Sequence, residues 1–235
     1  LKNSILYISL FLNLLFLVAV FFALNKYGGW NLFWAKINNR GIEKTYFHRK
    51  NLFEMLPERD SGIVFLGNSL TAYGEWSELF ADARIVNRGI PGDHCDGVRE
   101  RLGDIIKLNP QQIFLMIGIN DLAYHPAEKV VLKYEKLVEA LVGEFPNTTI
   151  YLQSVFPVNN IVSPTPVDNE EVIVLNNGIK KIAVNYAVNF LDTHSILLDA
   201  NGNLDAKFTS DGVHLNGHAY LIWRDFLLPH IKEND

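Results

Sequence analysis

The apolar positions of this 235-residue chain follow two regimes. Residues 5–24, ILYISLFLNLLFLVAVFFAL, carry no charge and are apolar on every face of a helix. From Gly62 onward the apolar positions come in short blocks: IVFLG (63–67), ARIVNRG (83–89), QIFLMIG (112–118), TTIYLQSVF (148–156) and NFLDT (189–193). Runs this short, rich in Val, Ile and Phe, predict strands buried on both faces. Between them the spacing changes to threes and fours. Val98, Leu102, Ile105 and Ile106 share one side of a helix over 96–107. Val130, Val131, Tyr134, Leu137, Leu141 and Val142 do so over 127–144, and Val172, Leu175, Ile179, Ile182 and Ala183 over 169–186. HAYLIWRDFLLPHI reads as a last helix. Strands alternating with helices predict an α/β fold, a three-layer α/β/α sandwich with helices on both faces of a parallel sheet.

The expected organisation is a transmembrane anchor or signal segment over 1–26, a partly helical connector over 27–58 and the α/β domain over 59–235. About 20 uncharged residues match the hydrocarbon core of a bilayer. Tyr27, Trp30 and Trp34 follow at the position of an interfacial aromatic belt. A cleaved signal peptide is the alternative, which would make the domain secreted. No small-x-small cleavage site is evident, since Ala23 has Phe21 two residues before it and Ala19 has Leu17. An uncleaved anchor through residues 5–24 is therefore the expectation. Its orientation is contested. Lys2 precedes the span, whereas Lys26, Lys36, Arg40 and Lys44 follow it, which by the positive-inside rule would keep the C-terminal side in the cytoplasm.

Composition narrows the picture by exclusion. The net charge of -5, with no block of Lys or Arg, argues against a nucleic-acid partner. The single cysteine, Cys95, permits no intrachain disulfide and no zinc ribbon, and reads as a packing residue. Oligomeric state has no signal in the sequence.

In an open parallel sheet, function gathers at the carboxyl ends of the strands. The segments there are Gly67-Asn68-Ser69-Leu70-Thr71, Asn87-Arg88-Gly89-Ile90-Pro91-Gly92-Asp93, Gly118-Ile119-Asn120-Asp121 and, before the last helix, Asp211-Gly212-Val213-His214. Together they offer a hydroxyl, a glycine amide, a side-chain amide and an Asp/His pair. Those are the parts of acyl transfer: nucleophile, oxyanion donors, base and base-orienting carboxylate. Ser69 by itself is an ordinary turn serine; the other three segments give it a chemical context.

These four blocks, GNSL, NRGIPGD, GIND and DGVH, resemble in order, spacing and flanking strands those of the SGNH or GDSL-type hydrolases over residues 50 to 235. Within that family the chain looks most like the compact bacterial esterases similar to platelet-activating factor acetylhydrolase subunits and lysophospholipase-like enzymes. The resemblance implies a five-stranded, flavodoxin-like parallel sheet, here preceded by the N-terminal hydrophobic helix. It implies catalysis without a cofactor or metal by Ser69 as nucleophile, His214 as base and Asp211 as its orienting acid. The Ser69 amide, the Gly92 amide and the Asn120 side chain would form the oxyanion hole. The implied reaction is hydrolysis of acyl esters, short-chain and foremost acetyl, of a carbohydrate or lipid. An O-acyltransferase using the same triad on envelope glycans is the alternative, and a non-catalytic binding module a third. Ester substrates of the envelope place the catalytic domain outside the cytoplasm, in conflict with the basic flank; the extracytoplasmic side is the expectation.

Asn68 departs from the family's usual Asp, at a position that supports the loop. His94 stands where relatives often have a small hydroxyl residue, and it is expected to line the pocket. Asp93 and Asp121 read as loop-fixing partners. Thr71 occupies the last glycine of a G-x-S-x-G elbow, which argues against the α/β-hydrolase fold. HLNGH (214–218) lacks the Glu of a zinc-binding H-E-x-x-H. Asp199, Asn201, Asn203 and Asp205 alternate as in a calcium loop, but Leu204 replaces its glycine and Ser210 its acidic twelfth residue, so a turn at Asn201-Gly202 is expected.

Overall fold

A computed structural model of the protein describes residues 2–26 and 40–231. The chain divides into two units, Leu1–Glu43 and Lys44–Asp235. In the first, α1 (Lys2–Lys26) is one continuous helix. Among the described residues no helix is long and apolar enough to cross a membrane. The expected aromatic belt of Tyr27, Trp30 and Trp34 lies outside the described residues.

The second unit is built on five strands: β1 (Ile63–Gly67), β2 (Ile85–Gly89), β3 (Gln112–Met116), β4 (Thr149–Gln153) and β5 (Asn189–Leu191). All pair in parallel, in the order β2-β1-β3-β4-β5. This is the flavodoxin-like order, and its direction reverses between β1 and β3. Helices complete the unit: α2 (Arg40–Met55) enters it, and α3 (Ser69–Ala72), α4 (Trp76–Leu79), α5 (Cys95–Glu100), α6 (Leu102–Ile106), α7 (Ile119–Leu122), α8 (Ala127–Glu144), α9 (Asn169–Asn185) and α10 (Gly217–Leu227) follow.

The strand runs are apolar throughout because both faces are covered. Val64, Leu66, Ile113, Leu115, Ile150 and Leu152 pack under α5, α6, α8 and α9. The alternate residues Ile63, Phe65, Phe114, Met116 and Tyr151 pack under Trp76 of α4 and under α10. Phe65, Phe114 and Tyr151 are in register on neighbouring strands, and their rings stack at 5.1 and 4.5 Å.

Two helices differ from expectation. The helix predicted over 96–107 is broken at Arg101, with φ -115° and ψ 23°. Its side chain turns inward and pairs with Asp93, so the residue leaves the helical path to make that contact. In the expected connector, α2 lays Phe53 on the domain as a buried residue between two guanidinium groups. Arg49 Cζ lies 5.1 Å and Arg88 Cζ 4.6 Å from its ring centroid. Arg49 Nε also donates to the carbonyl of Gly89 at 2.6 Å.

Candidate active site

Ser69 follows β1 directly and opens the one-turn α3. The turn can be this abrupt because Gly67 has no Cβ; one would collide with the Met116 carbonyl and the Thr71 hydroxyl. Asn68 caps the turn, its Oδ1 accepting from the Leu70 amide at 3.0 Å. An Asn supplies the acceptor oxygen that this cap needs, as an Asp would, while its buried Nδ2 has no hydrogen-bond partner among the described residues. The turn is held from the sheet's aromatic face as well. Trp76 Nε1 donates to the Thr71 carbonyl at 2.8 Å, and the Tyr220 hydroxyl donates to the Leu70 carbonyl at 2.7 Å.

The Asp211–His214 loop approaches from the other end of the chain. Oδ1 of Asp211 accepts from the amides of Val213 (3.0 Å) and His214 (2.8 Å), closing a tight turn. Gly212 completes it at φ 82°, with its amide on Thr209 Oγ1 and the Asn159 carbonyl where a Cβ would stand. Oδ2 of Asp211 lies 2.7 Å from His214 Nδ1, and His214 Nε2 lies 3.0 Å from Ser69 Oγ. An ionised carboxylate only accepts, so the proton sits on Nδ1 and the Nε2 lone pair faces the serine hydroxyl. Ser69 is 7% exposed. The His214 and Asp211 side chains are 38% and 50% exposed, so the line runs from a buried hydroxyl to an open rim. Burial pushes the Asp211 carboxyl up, but the hydrogen bonds from His214 and the two amides outweigh it and hold the group below the usual carboxylate range. Both ring nitrogens of His214 are thereby engaged within this line.

The loops after β2 and β3 meet beside Ser69. Asn120 Nδ2 donates one hydrogen to the Asp93 carbonyl at 2.9 Å, which fixes the amide and leaves its second hydrogen for another acceptor. Gly92 stands at φ 80°, a conformation that favours glycine. Among the described residues, the amides of Ser69 and Gly92 donate to no partner within the protein.

Beneath this loop is a buried ion pair. Arg101 Nε donates to Asp93 Oδ2 at 2.8 Å, and Arg101 also donates to the carbonyls of Arg88 (2.8 Å) and Gly67 (3.3 Å). One guanidinium thus ties the end of β1, the end of β2 and the Gly92 loop together. Burial pushes the Asp93 carboxyl above its ordinary value, with Arg101 pulling against it. Asp121, also buried, accepts from the Cys95 amide at 3.1 Å and caps the start of α5.

The structure therefore brings Ser69, His214 and Asp211 into one hydrogen-bonded line, with Asn120 and Gly92 on adjoining loops. Sequence reasoning missed Arg101, although it falls at helical spacing between Val98 and Ile105 on the apolar side, where a charge signals a buried partner. Tyr73, whose ring centroid lies 5.4 Å from that of His214, left no signal in the pattern.

A hydroxyl, an imidazole and a carboxylate aligned on the carboxyl rim of a 2-1-3-4-5 sheet are the parts of acyl transfer, and the family match places the chain in a class, the carboxylic-ester hydrolases. The chain belongs to the GDSL-like lipase/acylhydrolase family, whose family model matches residues 65–222. Human platelet-activating factor acetylhydrolase IB subunit alpha2 is 26% identical over 170 residues, covering 69% of this chain and 72% of its own. A solved protein of Streptococcus pneumonia, named for platelet activating factor, is similar with a TM-score of 0.76 at 25% identity over 84% of this chain and 98% of its own. The acetylxylan esterase Axe2 of Geobacillus stearothermophilus shares the fold, with a TM-score of 0.58 at 22% identity over 76% of this chain and 98% of its own.

Proposed function

We propose that this protein is a serine esterase that removes short acyl groups, acetyl foremost, from a carbohydrate or lipid ester through an acyl-serine intermediate. The observation that carries the reading is the line from Asp211 through His214 to Ser69, at 2.7 and 3.0 Å. In this mechanism His214 Nε2 takes the Ser69 proton as Oγ attacks the ester carbonyl. Asp211 stabilises the imidazolium that forms. The negative oxygen of the tetrahedral intermediate is received by the amides of Ser69 and Gly92 and by Asn120 Nδ2. One such donor contributes about 3–4 kcal/mol in the transition state. The intermediate collapses, the C–O bond to the alcohol breaks, and His214 protonates the leaving oxygen. A water activated by the same imidazole then hydrolyses the acyl-serine. The preference for acetyl is supported by relatives named as an acetylhydrolase and an acetylxylan esterase.

Ser69→Ala should lower the turnover of 4-nitrophenyl acetate by at least about 10⁴-fold with the thermal midpoint unchanged. Retained activity would overturn the reading. A series of 4-nitrophenyl esters of rising chain length tests the acyl preference, which predicts a fall beyond the shortest chains.

The uncharged segment 5–24 supports a second part of the proposal. It anchors the protein in a membrane, with the catalytic unit on the extracytoplasmic side. Alkaline phosphatase fused after residue 235 should be active in intact cells, and the protein should stay with membranes through alkaline extraction. An inactive fusion would reverse the orientation.

A further inference from the structure

One carboxyl end of the sheet lies outside the four segments of the site. The run Ser154-Val155-Phe156-Pro157-Val158-Asn159 leaves β4, stays buried throughout and belongs to no strand. A buried backbone without a partner strand must find its donors and acceptors elsewhere. Helix α9 supplies them. Asn176 Oδ1 accepts from the Val155 amide at 2.7 Å, and Asn176 Nδ2 donates to the Val155 carbonyl at 2.9 Å. Asn169 does the same for Val158, at 2.8 and 2.9 Å. Each asparagine thus offers a donor and an acceptor to one residue, as a neighbouring strand would. Seven positions apart, the two share one face of the helix.

The run ends at Asn159, which is 3% exposed and joins three segments. Its Oδ1 accepts from the amides of Ile161 (3.1 Å) and Val162 (3.0 Å), closing a turn. Its Nδ2 donates to the Leu204 carbonyl at 2.7 Å. Its main-chain amide donates to the Gly212 carbonyl at 2.8 Å. Gly212 lies within the turn that carries Asp211 and His214, and a Cβ on it would meet the carbonyls of Asn159 and Ser163 at 2.5 and 3.1 Å. The turn is therefore seated directly on Asn159. The side chains of Asp211 and His214 stand on an open rim and take little support from packing. Their alignment with Ser69 depends on where the backbone of the turn is held.

We propose that Asn159 is a positioning residue for the base. Its side chain fixes the backbone on which the Asp211–His214 turn sits, and so keeps His214 Nε2 in line with Ser69 Oγ. This rests on the esterase reading. A general base must lie within hydrogen-bond reach of the proton it takes. A displacement of about 1 Å costs about 10²-fold in rate. Asn159→Ala removes the three side-chain hydrogen bonds and keeps the main-chain amide that reaches Gly212, so it loosens the seat without deleting it.

The test measures turnover of 4-nitrophenyl acetate and the rate and extent of fluorophosphonate labelling of Ser69, using the full chain. The variants are Asn159→Ala and Asn159→Ser, each alone and combined with Asp211→Asn. In Asn159→Ala, kcat should fall about 10²-fold with KM unchanged. Labelling should reach the same extent as in wild type, at a rate lowered in proportion. Asn159→Ser keeps an oxygen able to close the turn and should recover part of the loss. With Asp211→Asn already present, the orientation of the base is lost, and the alanine change should cost less than about tenfold. A residue that only stabilises the fold would lower the labelled fraction at an unchanged rate, and would cost the same factor in both backgrounds. Either result overturns the proposal, as does unchanged turnover. If Asn159→Ala fails to fold, Asn159→Ser carries the same comparisons. A wild type that fails to label overturns the esterase reading itself, whereas a labelled wild type with unmoved rates in the variants overturns the positioning role alone.

Discussion

On one face of the sheet Phe65, Phe114 and Tyr151 stack across three strands beneath Trp76, Tyr220 and Trp223. On the other, Leu66, Ile113, Leu115 and Leu152 meet aliphatic helix faces. Each face also holds one half of the site, by different chemistry. The aromatic face reaches the Ser69 turn with neutral donors, the indole of Trp76 and the hydroxyl of Tyr220. Below the aliphatic face's α5–α6 break, a buried ion pair between Arg101 and Asp93 holds the Gly92 loop. Aromatic side chains bring their own polar tips, so the large apolar surface and the tether come from the same residue. Aliphatic side chains bring none, and the fold supplies the tether as a charge that needs a partner.

The largest consequence is expected from the ionic half. Arg101→Met leaves the buried Asp93 and Asp104 carboxylates without the guanidinium they share, and breaking such a buried pair costs about 3–5 kcal/mol. Denaturant unfolding at pH 7 measures it. The deficit should shrink as pH falls toward 4. Burial already holds Asp93 and Asp104 above their ordinary values, and without the guanidinium both rise further. An acid raised in the folded state binds its proton there first, so folding gains stability as pH drops through that raised value toward the unfolded value of about 3.9. A deficit that stays constant with pH would break the contrast between the faces.

Next in size is the neutral half. Tyr220→Phe leaves the buried Leu70 carbonyl without its donor, at a cost of about 1–3 kcal/mol. Its deficit should be the same at pH 4 and pH 7, and kcat of the folded enzyme should fall because the Ser69 turn loosens. Ile113→Val, on the aliphatic face away from either tether, should cost about 0.5–1.5 kcal/mol with kcat unchanged. An equal fall in kcat for both would mean that the aromatic face has no special hold on the turn. The smallest effect concerns Asp211. Its carboxyl is depressed by His214 and two amides, so its contribution to the loop is full above the ordinary carboxylate value and is lost only as pH falls below it. The thermal midpoints of wild type and Asp211→Asn should therefore keep their separation down to about pH 4 and converge in stronger acid.

The strands and the four site segments were legible because a strand buried on both faces writes an unbroken apolar run, and a parallel sheet puts all its carboxyl ends on one rim. IVFLG was read to its exact observed ends, Ile63 and Gly67. What escaped were contacts that join distant residues through charge or ring stacking. Periodicity places Arg101 on the apolar side, between Val98 and Ile105, but names no partner; its guanidinium is buried on a carboxylate eight positions back, before the helix begins. Phe53 gave no strong period to the segment before Gly62, because its partners are the guanidinium groups of Arg49 and Arg88 and not an apolar stripe. Tyr73 is placed by the end of a one-turn helix, which no spacing rule describes.

The hydrogen bond between His214 and Ser69 spans 145 positions of chain. During synthesis the proposed nucleophile therefore emerges long before its proposed base, and the turn that holds it lacks the Tyr220 tether for the same interval. A ribosome-bound chain that stops short of Asp211 carries a serine that cannot be activated. On the proposed mechanism hydrolysis begins only when the Asp211–His214 loop has joined the Ser69 turn, so the appearance of esterase activity in a translating extract times that step.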